Sequence, residues 1–167
     1  MTCGIGILGA GAIARVHAQG IADAGGQLVG FCDPDEAKAV DAAATFGAKS
    51  WTSRDEMFSC DEVTAVVVAV PNALHALLAI DALDAGRHVL LEKPMAMNVA
   101  ECAEIIAARD RAQRVLQVGF VCRFAATVLA ARRHIEAGRL GKVYHARAVM
   151  LRRQGIPGLG RWFTNRE

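Results

Sequence analysis

With 167 residues, 53% of them hydrophobic and a net charge of +2, the chain can bury the core of about one domain, yet its longest apolar runs fall short of the ~18 residues that cross a bilayer. Five widely scattered cysteines, Cys3, Cys32, Cys60, Cys102 and Cys122, include no C-x-x-C pair, which excludes both a disulfide framework and a zinc knuckle. The apolar run from Cys3 to Ala14 has no Lys or Arg before it and contains four glycines, which does not fit a signal peptide, so no membrane partner and a cytoplasmic location are expected.

In chain order, strand signals alternate with helical ones. Gly4 to Leu8 reads as a strand, and a helical stretch from about Ala12 to Ala24 closes at Gly25-Gly26. Leu28 to Cys32 is a second strand, and Pro34 opens a helix to Phe46. Lys49 to Thr52 is a short third strand. "AVVVAVP", Ala65 to Pro71, is a continuous β-branched run, as a parallel strand covered on both faces should be. A helix from about Ala73 to Ala85 stops at Gly86, and "HVLLEK" is the next strand. Val99 to Arg111 places Val99, Cys102, Ala103 and Ile106 on one helical face, and Val115 to Val118 returns as a strand. This alternation predicts an α/β fold, a Rossmann-type doubly wound parallel sheet.

In such a sheet, ligands bind outside the carboxyl ends of the strands. The first strand ends at "GAGAIA", where Gly9, Gly11 and Ala14 fit G-x-G-x-x-G/A and lead into a helix whose first residues are Ala12 and Ile13. Gly9 would make the tight turn, Gly11 would admit a pyrophosphate to the backbone, and Ala14 would pack helix on strand. The pattern is commonplace in a chain with 16 glycines, but its position between strand and helix adds weight. Asp33, at the end of the second strand, would accept hydrogen bonds from both adenosine ribose hydroxyls and repel a 2′-phosphate. Pro34, Asp35 and Glu36 follow, so the pocket suits NAD, while Lys38 keeps NADP possible.

Two further strand ends carry polar residues. At "AVPNALH", Pro71 and Asn72 would cap the next helix, and His75, one turn in, either faces the crevice or packs. At "VLLEKPMAMN", Glu92 and Lys93 would point to opposite faces of an extended strand, one towards a cofactor ribose and the other towards a substrate. Either could be a surface ion pair, but that would not explain why these charges share an edge with Gly9, Asp33 and Asn72.

The ordered set "GAGAIARVHA" with His17, "CDPD" with Asp33, "VPNALH", "AGRHVLLEKPMA", "VGFVCRF" with Arg123, "GRLGKVYHARA" and "GRWF" resembles the N-terminal half of the Gfo/Idh/MocA family, the sugar and inositol oxidoreductases related to glucose-fructose oxidoreductase. The resemblance implies that residues 1–122 form an NAD-binding Rossmann domain. Residues 123–167 would be a connecting helix and the beginning of a truncated C-terminal domain, with Val143 to Leu151 as its first strand. It implies that Lys93 is catalytic, that Glu92 and Asn72 line the nicotinamide side, and that Trp162 closes over the cofactor. Phe120 and Arg123 are substrate candidates, although Cys122-Arg123-Phe124 and Ala125-Ala126 depart from the family pattern, so the resemblance implies a substrate class and not an individual substrate. The catalytic histidine and the substrate wall, which is also the surface for a homo-oligomer of the parent protein, are expected beyond Glu167.

Charge is uneven along the chain. Residues 1–119 hold 9 Lys and Arg against 15 Asp and Glu, net −6, while residues 120–167 hold 10 against 2, net +8. On the fragment reading, the basic segment, including Arg152, Arg153 and Arg161, belongs beside a missing domain. No nucleic-acid partner is expected, because the basic tail lacks a reading motif. The expected function is NAD(P)-dependent hydride transfer on a sugar or polyol, with no metal, this chain being competent for cofactor binding only. The alternative is a non-catalytic NAD-binding sensor or assembly module, which would need the glycines and Asp33 but not Lys93.

Overall fold

A computed structural model describes residues 3–149 and 151. The chain divides into two compact units, one ending at Gly119 and the other beginning at Phe120. The boundary expected between residues 122 and 123 therefore falls three residues earlier.

The first unit runs β1 (Gly4–Leu8), α1 (Ala12–Asp23), β2 (Gln27–Cys32), α2 (Glu36–Phe46), β3 (Lys49–Trp51), α3 (Arg54–Phe58), β4 (Ala65–Val68), α4 (His75–Asp84), β5 (His88–Leu91), α5 (Val99–Ala112) and β6 (Leu116–Val118). All six strands are parallel, in the order β3-β2-β1-β4-β5-β6. The sheet is therefore doubly wound, and its winding reverses between β1 and β4, where α/β sheets open a ligand crevice.

Alternation along the strands divides the core between two faces. Ile7, Phe31 and Val67 pack with Ala14 and Ala18 of α1 and with Ala42 and Ala43 of α2. Leu8, Val66, Val68, Val89 and Leu91 pack with Ala79 and Leu83 of α4 and with Ile105 and Ala108 of α5. Small alanines let both helical layers lie close, and both faces of the central strands are covered, which is why "AVVV" is apolar throughout.

Several local expectations are corrected. α2 starts at Glu36, because Asp35 rather than Pro34 sets its start: the Asp35 side chain accepts the Lys38 N–H. α3 was not expected, although Ser53 before Asp55-Glu56 is a helix-start signal; it buries Met57 and Phe58. On α5 the buried stripe is Ile105 and Ala108, one residue round from the expected face, and Val99 is 84% exposed. Asn98 and Glu101 cap that helix reciprocally, with Glu101 N–H to Asn98 Oδ1 and the Glu101 carboxylate back to the Met97 N–H.

The second unit contains a 3-10 turn, Val121–Phe124, and α6 (Ala126–Glu136), which has no buried residue and carries an Arg132–Glu136 pair one turn apart. Residues 143–149 form no strand, contrary to expectation. A strand needs a ladder partner, and none pairs with this segment among the described residues. Arg152, Arg153, Arg161 and Trp162 lie outside the described residues.

Candidate functional site

The β1 end is shaped by a close approach of backbones. Gly9 has φ +93, and a Cβ there would sit 2.4 Å from the Ala69 carbonyl oxygen beyond β4. Its N–H donates to Cys32 O at 2.7 Å, tying the turn to the end of β2. Only glycine meets both conditions.

Gly11 is different. Its φ of −76 suits any residue, and a Cβ on it would meet no atom within 4 Å. The protein's own packing leaves that space open, so a ligand approaching the backbone fits there. α1 then begins with no side-chain cap and no acid in its first turn, with Ala12 and Ile13 exposed. Its first N–H groups are thus available to a negative group. Ala14 is fully buried and packs on the sheet, as the third position of the motif requires.

Asp33 ends β2 with its carboxylate already oriented. Oδ2 accepts the Ala10 N–H at 3.0 Å and Oδ1 accepts the Asp35 N–H at 3.0 Å. A carboxylate offers about four acceptor positions, so capacity remains for a pair of hydroxyls. The sequence points to a ribose role for Asp33; its grip on the glycine turn becomes visible only in the fold. Pro34 is exposed beside it, and Lys38 extends not outward but to Asp35 Oδ2 at 2.9 Å. The Asp35 contact raises the Lys38 pKa above its usual value, and the Lys38 contact lowers that of Asp35. The pocket beyond β2 keeps its acidic character.

Just before Asp33, burial and the neighbouring carboxylate push the Cys32 thiol up from 9.0 to about 11. A buried neutral thiol is unreactive. With Ellman's reagent at pH 8, the exposed Cys3 and Cys122 should react and Cys32 should not until the chain is denatured; fast labelling of Cys32 would contradict its burial. Between pH 9 and about 11 the unfolded chain releases this proton while the folded chain keeps it, so Cys32 lowers stability as pH rises through that window.

At the β4 end, Pro71 is exposed and Asn72 begins a 3-10 turn, Asn72–Leu74. Asn72 does not cap α4: Leu74 occupies that position without a side-chain bond. His75 is fully buried, with Nδ1 2.7 Å from Pro94 O and Nε2 3.1 Å from Val70 O. It packs instead of facing the crevice, so it is not in place to touch a cofactor.

β5 stops at Leu91, two residues before the expected end, so strand alternation does not aim Glu92 and Lys93. Hydrogen bonds do. The Glu92 N–H donates to Val68 O at 3.1 Å; its Oε1 lies 2.8 Å from His17 Nε2 on α1, and its Oε2 accepts the Lys93 N–H at 3.1 Å. Both side chains of the His17–Glu92 pair are under one-fifth exposed. No role for His17 follows from the sequence alone; its place in "GAGAIARVHA", on the helix that leaves the glycine turn, is the available signal. Lys93 is exposed and pairs with no carboxylate among the described residues. The dry surroundings that would tune it are therefore not supplied by these residues. In the second unit, the Arg123 guanidinium lies 5.7 Å from the centre of the Phe120 ring.

One sheet edge thus carries a glycine turn, an uncapped helix start, a ribose-type carboxylate and a lysine. Residues 3–120 match the model of the oxidoreductase family described as the NAD-binding Rossmann fold of Gfo/Idh/MocA proteins. The chain belongs to the Gfo/Idh/MocA family. Among similar proteins of this family, D-glucoside 3-dehydrogenase of Escherichia coli K12 is 35% identical over 98% of this chain and 47% of its own length. Inositol 2-dehydrogenase 3 of Saccharopolyspora erythraea is 31% identical over 89% of this chain and 45% of its own. The crystal structure of the WlbA dehydrogenase from Bordetella pertussis, in complex with NADH and UDP-GlcNAcA, superposes with a TM-score of 0.81 at 34% identity, covering 86% of this chain and 45% of that one. The chain spans about half the length of the Gfo/Idh/MocA relatives it matches, and the first unit is the family's NAD-binding domain. Among the described residues, no helix is long and apolar enough to cross a membrane.

Proposed function

We propose that the protein containing this chain transfers a hydride between a nicotinamide cofactor, NAD in preference to NADP, and a hydroxyl or carbonyl of a sugar, polyol or related small molecule. The observation that carries this reading is the placement of Lys93, exposed and unpaired with any described carboxylate, on the same sheet edge as Gly11 and Asp33. Relatives named as glucoside and inositol dehydrogenases supply the substrate class.

In this reading, NAD when bound accepts or returns the hydride. Gly9, Gly11, Ala12 and Ile13 hold the pyrophosphate against the start of α1, and Asp33 with Pro34 holds the adenosine ribose. Pro71, Asn72 and Glu92 line the nicotinamide side. Lys93 donates a hydrogen bond to the substrate oxygen and stabilises its developing negative charge, a preorganised electrostatic role. The five free thiols suit a reducing cytoplasm, and the complete protein assembles as a homo-oligomer.

Cofactor choice tests the first half of the reading. Calorimetric titration should give NAD the tighter binding, because Asp33 repels a 2′-phosphate and Lys38 is held by Asp35. Asp33→Ala should weaken NAD and narrow the preference. Equal or tighter NADP binding by the native chain would overturn the role given to Asp33.

A further inference from the structure

Lys93 has no side-chain partner among the described carboxylates, so its position depends on what grips the backbone beside it. We propose that His75 is a positioning residue for Lys93, acting through the carbonyl of Pro94. The proposal rests on the catalytic role given to Lys93 above.

His75 is the first residue of α4 and lies 19 residues before Pro94 along the chain. It is the one polar side chain fully buried among the described residues. Burying an imidazole is costly unless its nitrogens find partners, and here both nitrogens face carbonyls. Nδ1 is 2.7 Å from Pro94 O and Nε2 is 3.1 Å from Val70 O. A neutral imidazole has a single N–H. The shorter contact assigns that proton to Nδ1 and makes the Pro94 carbonyl its acceptor; a ring carrying both protons would satisfy both carbonyls.

The bond locks the residue after Lys93 to the start of a core helix. On the other side, the Lys93 N–H is already fixed by Glu92 Oε2. Lys93 is thus bracketed: its own amide is held by Glu92, and the next carbonyl is held by His75. Only in a ring carrying both protons would Nε2 also donate to Val70 O and tie the β4 end into the same unit. Because Lys93 is solvent-exposed, no packing around its side chain duplicates this constraint.

The two ring nitrogens can be separated by substitution, since an Asn amide nitrogen falls near the Nδ1 position and a Gln amide nitrogen near Nε2. In the complete protein, His75→Gln should lower kcat about 10²-fold, as misplacement of a reacting group does, while His75→Asn stays within about threefold, and KM for NAD changes little in either. If both variants lose activity only in proportion to their loss of thermal stability, or if Gln outperforms Asn, the ring is a structural plug and the proposal falls. A second measurement does not depend on turnover. Nitrogen-15 NMR of the histidine-labelled 167-residue chain should show a proton on Nδ1 of His75, and an unprotonated Nδ1 overturns the proposal. In the same chain, the Met95 amide signal should split or broaden in His75→Gln and stay single in His75→Asn; a Met95 signal that is single in both variants also counts against the proposal. Should Lys93 prove not to be catalytic, these spectra still decide whether the clamp exists.

Discussion

Replacing Lys93 by Met in the complete protein is expected to lower kcat about 10²–10⁴-fold while NAD affinity stays within a small factor. The size of the effect follows from where Lys93 sits. It is exposed one residue beyond a carboxylate that is already committed to His17 and to the Lys93 amide, so its ammonium is not consumed by a neighbour. Methionine keeps most of the length and apolar stem of the side chain and removes the charge and the donor, leaving the fold intact. Single-turnover kinetics separates binding from chemistry. A fully active Lys93→Met enzyme would sink the catalytic assignment and favour a non-catalytic NAD-binding module, and a loss confined to cofactor affinity would move Lys93 to the ribose.

The second large effect separates two glycines that look equivalent in the motif. Gly9→Ala is expected to destabilise the chain by about 3 kcal/mol, because a non-glycine residue at positive φ and an overpacked backbone contact each cost about 1–3 kcal/mol. The contact is specific: the new Cβ would lie 2.4 Å from a carbonyl at the neighbouring strand end, where nothing flexible can give way. In a chain of this size that loss lowers Tm by roughly 6–12 °C. Gly11→Ala should cost no more than about 1 kcal/mol, the price of a poorer N-cap, since its Cβ enters open space. Yet it should weaken NAD roughly 10²-fold, about 2.7 kcal/mol, by occupying the approach to the backbone. Thermal melting and calorimetry on both variants check this crossed pattern. A Gly11→Ala chain that binds NAD normally would show that the pyrophosphate lies elsewhere.

Periodicity and local stereochemistry settle part of the structure without any distant contact. The β-branched run at Ala65 to Val68 had to be a covered parallel strand, the alanine-rich segments had to be helices that pack closely, and Gly9 had to be a turn, because each of these follows from side-chain shape within a few residues. The ordered motifs, read together, also marked the family. The rest depends on contacts between segments distant in the chain. Strand alternation would send Glu92 and Lys93 to opposite faces, one towards a ribose and the other towards a substrate, but β5 ends at Leu91, two residues before the expected end, and the Glu92 carboxylate turns to His17, 75 residues away. His75 could equally have faced the crevice or packed; two carbonyls from separate loops, Val70 and Pro94, settle it as packed. Asp33 gained a grip on the Ala10 amide across 23 residues. The buried face of α5 shifted by one residue because its apolar pattern runs almost all the way round, leaving the choice of stripe to the neighbours it meets. Local pattern constrains which elements form, whereas hydrogen-bond partners at strand ends are chosen by the parallel crossovers that bring those ends to one edge, and a single chain of letters does not record that geometry.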